Sequence, residues 1–185
     1  YGICLVYTNA TPLGGYRKAY TAIATGKLFG QIPYMFIIAF VIGLVMWFVF
    51  NYTRHGKYMY AIGGNEAAAE VSGVNVKKTK IIIYVTAAAL YAIAGFLLGA
   101  KAGGASVNMG QGYELEAIAA CTIGGVSVNG GIGRISGVVI GVLVFELLKS
   151  SMQFLGIQTN YQYIVQGIVI IVAIALDIRK YIAKK

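Results

Sequence analysis

Residues that build disulfide frameworks and metal centres are scarce in this chain of 185 residues, which contains two Cys and one His. Cys4 and Cys121 lie far apart, and Cys121 lies within an apolar segment. The sequence therefore does not support a disulfide framework. Because His55 has no neighbour at the spacing of metal ligands, the pattern favours a solvated residue at an interface.

Charge is scarce as well. Charged residues make up 11% of the chain and hydrophobic residues 58%, with a mean hydropathy of +0.74, whereas about a quarter of the residues of soluble domains are charged. The apolar residues form long blocks, which indicates membrane spans. The net charge of +9 comes from basic residues just outside those blocks, as the positive-inside rule predicts, so no nucleic-acid partner is expected.

Motifs for nucleotide binding and catalysis are also missing. The glycine-rich stretch GGVSVNGGIGRISG lacks the Lys-Ser/Thr end of a P-loop, and no strand precedes it. Its glycines are interpreted as a tight turn between two spans. No Ser-His-Asp, zinc-site or paired-carboxylate pattern occurs, so the sequence predicts neither an enzyme nor a cofactor bound by this chain.

The apolar blocks predict an all-α, polytopic membrane helical bundle. Five spans are expected at about residues 33–50, 81–100, 115–127, 135–148 and 163–178. The first would be about 27 Å long at 1.5 Å per residue, close to the thickness of a bilayer core. The third block is short and rich in small residues, so it needs protein neighbours more than lipid.

Lys and Arg counts beside the spans predict the orientation. Ten basic residues, Lys184 and Lys185 among them, would lie on one side and five on the other, which places the richer side in the cytoplasm. Residues 51–80 would then form a cytoplasmic segment. The segment before Pro33 would be extracytoplasmic. Residues 1–7 are expected to end an earlier span, and residues 8–31 to form an external loop with little regular structure. The chain is expected to be the later part of a longer protein.

Glycines at four-residue spacing predict close helix packing. Such spacing places glycines on one face of a membrane helix and lets two backbones approach. The residues with this pattern are Gly95, Gly99, Gly133, Gly137 and Gly141.

Three carboxylates lie near predicted span ends. Glu114 and Glu116 are two residues apart, so they do not face each other on a helix; they are expected to mark the start of the third span, with a role in lining a solute path as the alternative. Glu146 precedes Lys149 by one helical turn. This spacing predicts an interfacial ion pair, with an intramembrane polar contact as the alternative.

The polar stretch of residues 61–80, AIGGNEAAAEVSGVNVKKTK, predicts a short cytoplasmic helix. Asn65 can cap it and Glu66 suits its first turn. The following EAAAE is a strong helix former, and Gly73 can stop the helix. Because so short a helix is marginally stable alone, it is expected to dock onto a partner, with Glu66 and Glu70 meeting basic groups.

Three stretches resemble the permease subunits of bacterial ABC importers for monosaccharides, most closely those for galactose and methyl galactosides, with the ribose permeases as near relatives. The stretches are YAIGGNEAAAEVSGVNV (residues 60–76), GYELEAIAACTIGGVSVNGGIGRISGVVIGV (residues 112–142) and YQYIVQGIVIIVAIALDIRKY (residues 161–181). The resemblance covers essentially this whole chain, but only the C-terminal portion of a full permease.

The resemblance implies a transport role. A second permease copy, a cytoplasmic ABC ATPase that binds ATP and Mg, and an external sugar-binding protein would be the partners, in a bacterial cytoplasmic membrane. The short helix would be the coupling helix that docks on the ATPase. Its residues are Asn65, Glu66, Ala67, Ala68, Glu70, Ser72 and Gly73. The candidates for the substrate path or for docking the binding protein are Asn108, Gln111, Tyr113 and Glu114.

Two alternatives stay open at this point. The solute could be ribose, xylose, autoinducer-2 or a nucleoside, because the motifs are shared among such permeases. The chain could also belong to a passive channel or a structural membrane subunit, although neither needs a coupling helix.

Overall fold

A computed structural model describes residues 2–9 and 11–182 of the chain. Lys184 and Lys185, which the charge count includes, lie outside the described residues. Within the described part most residues are helical and the strands have two residues each, so the expected all-α class is confirmed. The helices are α1 (Gly2–Thr8), α2 (Lys18–Thr25), α3 (Tyr34–Tyr52), α4 (Arg54–Gly64), α5 (Glu66–Val71), α6 (Val76–Ala102), α7 (Tyr113–Ile123), α8 (Ile135–Phe154) and α9 (Thr159–Ile182).

Four of these helices, α3, α6, α8 and α9, are long and apolar enough to cross a membrane. They coincide with four of the five predicted spans, with bounds that differ by a few residues. An α-helix suits a bilayer because all its interior amides and carbonyls bond within the segment. On α3, large apolar side chains such as Phe36, Phe40 and Phe48 are exposed, as expected of a helix surrounded by lipid or by other helices.

The third predicted span is shorter in the structure than in the sequence prediction. Helix α7 has 11 residues and ends at Ile123, because Gly124 and Gly125 follow and Gly125 adopts a φ of +82°. At 1.5 Å per residue it is about 16 Å long, roughly half the thickness of a bilayer core. The five-span topology therefore stays a prediction.

The prediction that residues 8–31 have little regular structure is wrong, whereas their external location stays a prediction. Residues 18–25 form α2, and two short antiparallel strands, β2 (Lys27–Leu28) and β3 (Ile32–Pro33), pair after it. The Tyr20 ring packs edge-on against Tyr16 and Phe96, with centroids 5.3 and 4.8 Å away. Its hydroxyl donates to the Phe96 carbonyl at 2.6 Å. These contacts stabilise a helix that composition alone did not indicate.

The described chain divides into two units. One comprises the described residues up to Met46 together with Lys80–Gln111, and the other comprises Trp47–Thr79 and the residues from Gly112 onward. In the first unit, β1 (Leu13–Gly14) pairs antiparallel with β4 (Gly104–Ala105). In the second, α7 packs against α8 and α9 around a small core of Ala119, Ala120 and Phe145.

The glycines predicted to allow close packing have different surroundings. A Cβ at Gly141 would meet the Ala120 carbonyl, and one at Gly137 would meet the Gly124 carbonyl, so α7 and α8 approach backbone to backbone. A Cβ at Gly99 would lie 2.9 Å from the Tyr20 hydroxyl oxygen, and one at Gly133 would lie 3.2 Å from a Val126 methyl. A Cβ at Gly95 would meet no described atom within 4 Å.

Candidate functional site

A helix that the sequence did not predict leads into the candidate coupling helix. Thr53 caps the start of α4 by accepting the Gly56 amide at 3.2 Å. At the other end, the Asn65 amide bonds the Ala61 carbonyl, and the Asn65 side chain accepts the Ala68 amide at 3.0 Å. Asn65 therefore ends α4 and begins α5 at once, so the two helices meet at a single residue.

Helix α5 has the capped start and the glycine stop that the sequence predicts. Ser72 follows the last helical residue and donates its hydroxyl to the Ala68 carbonyl at 2.8 Å. Gly73 follows with a φ of +85°, a left-handed conformation that favours glycine. These caps satisfy backbone groups that a six-residue helix could not satisfy by itself.

The side chains of α5 point mostly outward. Ala69 is buried, whereas Glu66, Ala67, Ala68 and Glu70 are exposed. Val71 is 90% exposed, and the sequence analysis did not single it out. The small side chains leave room for another surface to approach closely, and the exposed Val71 offers that surface an apolar contact. Val71 could have been found as the one large apolar residue in an otherwise small and polar helix.

Two pairs of glycines bring the end of α4 against the turn that precedes α8. We call Gly63, Gly64, Gly130 and Gly131 the glycine contact. A Cβ at Gly63 would lie 2.5 Å from the Gly131 amide nitrogen, and one at Gly131 would lie 2.7 Å from the Gly64 Cα. Gly130 and Gly131 also have φ values of +90° and +72°. At positions 63, 130 and 131 only glycine permits this approach, whereas position 64 has room for a Cβ.

Hydrogen bonds fix the turn to its surroundings. One Asp177 carboxylate oxygen on α9 accepts the Ser127 hydroxyl at 2.9 Å and the Val128 amide at 3.1 Å. On the other side, the Tyr60 hydroxyl of α4 donates to the Gly133 carbonyl at 2.8 Å. Since α8 begins two residues after Gly133, the turn joins α4, α8 and α9 into one connected set of contacts.

The four predicted path residues fall in two places. Asn108 and Gln111 lie in the loop after β4, where the Gln111 amide bonds the Asn108 carbonyl at 3.2 Å. Tyr113 and Glu114 open α7. The first two belong to one unit and the last two to the other, and each pair is therefore described by itself.

The charged residues near α7 and α8 differ from the predicted pairing. Lys149 bonds Glu116, not the predicted Glu146, and its ammonium lies 2.7 and 2.9 Å from the two carboxylate oxygens. The partners are 33 residues apart in sequence, so helical spacing could not reveal them. Among residues 2–9 and 11–182, no group of three or more His, Cys, Asp or Glu side chains could hold a metal ion.

The chain is similar to known transport permeases. Residues 2–174 match a family described as the branched-chain amino acid transport system / permease component. The galactose/methyl galactoside import permeases of Haemophilus influenzae and Escherichia coli K12 are each 40% identical over 191 residues, which covers 100% of this chain and 57% of each relative. The ribose import permease of Escherichia coli K12 is 39% identical over 183 residues, or 97% of this chain and 57% of the relative.

The chain thus spans a little over half the length of these relatives. No solved structure matches it.

Proposed function

Because the chain belongs to the family of the branched-chain amino acid transport system / permease component, we propose that it is part of the transmembrane subunit of an ATP-driven importer for a monosaccharide. The family is one of transport permeases rather than of enzymes. Galactose and methyl galactosides are the first solutes to test, since relatives 40% identical carry those names. Ribose is the second, supported by the ribose permeases at 39% identity.

The observation that carries this proposal is the exposed, doubly capped helix α5. It presents Ala67, Ala68 and Val71 beside the carboxylates of Glu66 and Glu70. A passive channel or a structural subunit has no need for such a surface, whereas a permease driven by a separate ATPase requires one. In this proposal the apolar residues enter a groove of a cytoplasmic ABC ATPase, and the carboxylates face basic groups there.

The contacts around α5 suggest how movement would pass into the membrane. When ATP binding closes the ATPase, α5 is pushed, and the shared Asn65 carries the displacement into α4. The glycine contact passes it to the turn before α8, and Asp177 passes it to α9. A backbone-to-backbone contact suits this task because it has no flexible side chain to absorb the movement.

The remaining partners follow from the same proposal. An external sugar-binding protein delivers the solute, and a second permease copy completes the pore in the bacterial cytoplasmic membrane. ATP and Mg are bound by the ATPase. This chain catalyses no covalent step, and its work is to change between outward-facing and inward-facing states.

The experiment is uptake into proteoliposomes that contain the full-length permease with its ATPase and its sugar-binding protein. Labelled D-galactose and D-ribose are offered with ATP inside the vesicles. We expect ATP-dependent accumulation of one of them. Accumulation that needs no ATP would support a channel and contradict the proposal, and uptake of neither sugar would also contradict it.

Reversing the charge of α5 tests its role. Glu66→Lys with Glu70→Lys is expected to abolish co-purification of the ATPase and coupled uptake, because the carboxylates would no longer face opposite charge. Glu66→Gln with Glu70→Gln, which removes the charge without reversing it, should give an intermediate loss. If the reversed variant still bound the ATPase and transported normally, the coupling role would be wrong.

A further inference from the structure

A cleft between α7 and α8 brings charged and aromatic side chains together in two largely apolar helices. Lys149 donates to both oxygens of Glu116. Its ammonium lies 5.8 Å from the centroid of the Tyr113 ring, within the range of a cation–π contact. Glu146 lines the same cleft, which has a volume of about 250 Å³, and its side chain is exposed.

The position of this cluster makes it costly in a purely structural role. Lys149 lies roughly 20 Å along α8 from Ile135, inside a helix with the length and composition of a span. Helix α8 ends at Phe154, five residues or about 7.5 Å beyond Lys149, so Lys149 lies toward one end of the apolar helix. Its insertion cost is therefore below the roughly 2.5–3.5 kcal/mol of an ionised side chain at a helix centre. Glu116 offsets the charge of Lys149, but Glu146 adds a second carboxylate. Glu116 and Lys149 are partly buried whereas Glu146 is exposed, and a cluster with one net negative charge that reaches the surface suits water or a polar ligand better than lipid.

The arrangement of charges selects the class of ligand. A cation would meet the Lys149 ammonium in the middle of the cleft, and an anion would meet the carboxylates of Glu116 and Glu146. A neutral molecule with many hydroxyl groups suits both, since the carboxylates accept from hydroxyls and the ammonium donates to oxygens. The Tyr113 ring offers a flat apolar surface to the C–H face of a sugar ring.

The size of the cleft agrees with this chemistry. Pockets for drug-sized ligands begin at roughly 300 Å³, and about 250 Å³ suits a smaller molecule such as one sugar ring. The apolar part of the wall includes Ala117 and Ala120, whose small side chains leave the space open. The polar groups come from two rigid helices that pack tightly through Gly137 and Gly141, so their positions are fixed before a ligand arrives.

We propose that Tyr113, Glu116, Glu146 and Lys149 form a solute-binding station on the translocation path, which holds a neutral monosaccharide through its hydroxyl groups. This inference rests on the proposed function, whose solute it places at a defined site. Helix α8 begins at the turn of the glycine contact and carries Glu146 and Lys149 further along. Movement of that turn therefore shifts one wall of the station.

The first test asks whether the cleft faces water in the assembled importer. In the full-length permease with its partners, Cys4→Ser and Cys121→Ala remove the native thiols of this chain, and Glu146→Cys or Val144→Cys adds one. Val144 is exposed and lies about 200° around α8 at nearly the same depth. A charged, membrane-impermeant methanethiosulfonate should label position 146 and not position 144.

Equal labelling at the two positions, or none at 146, would overturn the proposal. Absence of label at 146 would mean that another protein surface, such as a second copy of the chain, covers the cluster. This measurement does not depend on which sugar is transported. If the unaltered complex took up neither D-galactose nor D-ribose, the proposed function would be refuted. Labelling at position 146 would then show a water-facing cleft but would no longer support a sugar as its ligand.

The second test separates solute binding from a structural ion pair. Glu146→Gln should lower sugar uptake at least tenfold while ATPase binding is unchanged, because the ion pair that joins α7 to α8 is made by Lys149 and Glu116. Exchanging the partners, Glu116→Lys with Lys149→Glu, keeps the ion pair but inverts the groups offered to a solute. Slow sugar uptake by the exchanged variant would support the station. Uptake at the rate of the unaltered complex would overturn it.

Discussion

Replacing Gly63 by Ala tests the glycine contact against a matched neighbour. A Cβ at position 63 would lie 2.5 Å from the Gly131 amide nitrogen, and ordinary contact begins at 3.4 Å, so the turn must retreat by about 0.9 Å. Both groups are backbone, so no side chain can turn away. A Cβ at Gly64 would meet nothing within 4 Å, which makes Gly64→Ala the control.

The difference between the two variants can be estimated. Overpacking of this kind costs about 1–3 kcal/mol, whereas Ala in place of Gly favours a helix by about 0.5–1 kcal/mol at either position. Gly64→Ala should therefore be neutral or slightly more stable. Gly63→Ala should unfold several degrees lower, since 1 kcal/mol shifts the Tm by about 2–4 °C in a chain of 150–250 residues.

The functional assay measures sugar accumulated and ATP hydrolysed in the same proteoliposomes. Because the contact lies between α4 and the turn and not on α5, Gly63→Ala should still bind the ATPase but move fewer sugar molecules per ATP. Gly64→Ala should keep the ratio of the unaltered complex. Equal ratios in the two variants would refute the idea that movement passes through this contact.

Two further substitutions probe single contacts. Asp177→Ala removes the acceptor for the Ser127 hydroxyl and for a backbone amide. The free energy of unfolding should fall by about 1–3 kcal/mol, and fewer sugar molecules should be moved per ATP. A lower Tm with an unchanged ratio of sugar to ATP would contradict the role of this bond in passing movement to α9. Tyr20→Phe removes the 2.6 Å hydrogen bond to the Phe96 carbonyl. The free energy of unfolding should fall by about 0.5–1.5 kcal/mol, and ATPase binding should be unchanged. Loss of ATPase binding would show that this contact does more than hold α2.

The sequence predicted the elements whose signal is local. Four long apolar runs gave four long helices, because twenty or so apolar residues suffice to specify a span. The cap at Asn65 and the stop at Gly73 likewise predicted α5, since capping depends on residues within one turn. The third span was predicted to run to residue 127 because its apolar small residues continue past Ile123, where Gly124 and Gly125 end α7.

The elements that the sequence missed depend on distant contacts. Helix α2 is stabilised by the Tyr20–Phe96 contact, which joins residues 76 apart. Helix α4 contains several glycines and charges, and its packing depends on the bond from Tyr60 to Gly133, 73 residues away. The Glu116–Lys149 ion pair was not predicted either, because its residues are 33 apart in sequence and helical spacing favoured Glu146 as the partner of Lys149.

The most direct measurement of the central claim is photo-cross-linking from α5. A benzoylphenylalanine in place of Val71, which is 90% exposed, is compared with one in place of Phe154, which is 93% exposed and ends α8 at the opposite end from the glycine contact. In membranes that contain the full-length permease and its partners, position 71 should form an adduct with the ATPase and position 154 should not. Absence of an ATPase adduct at 71, or an equal adduct at 154, would contradict the account.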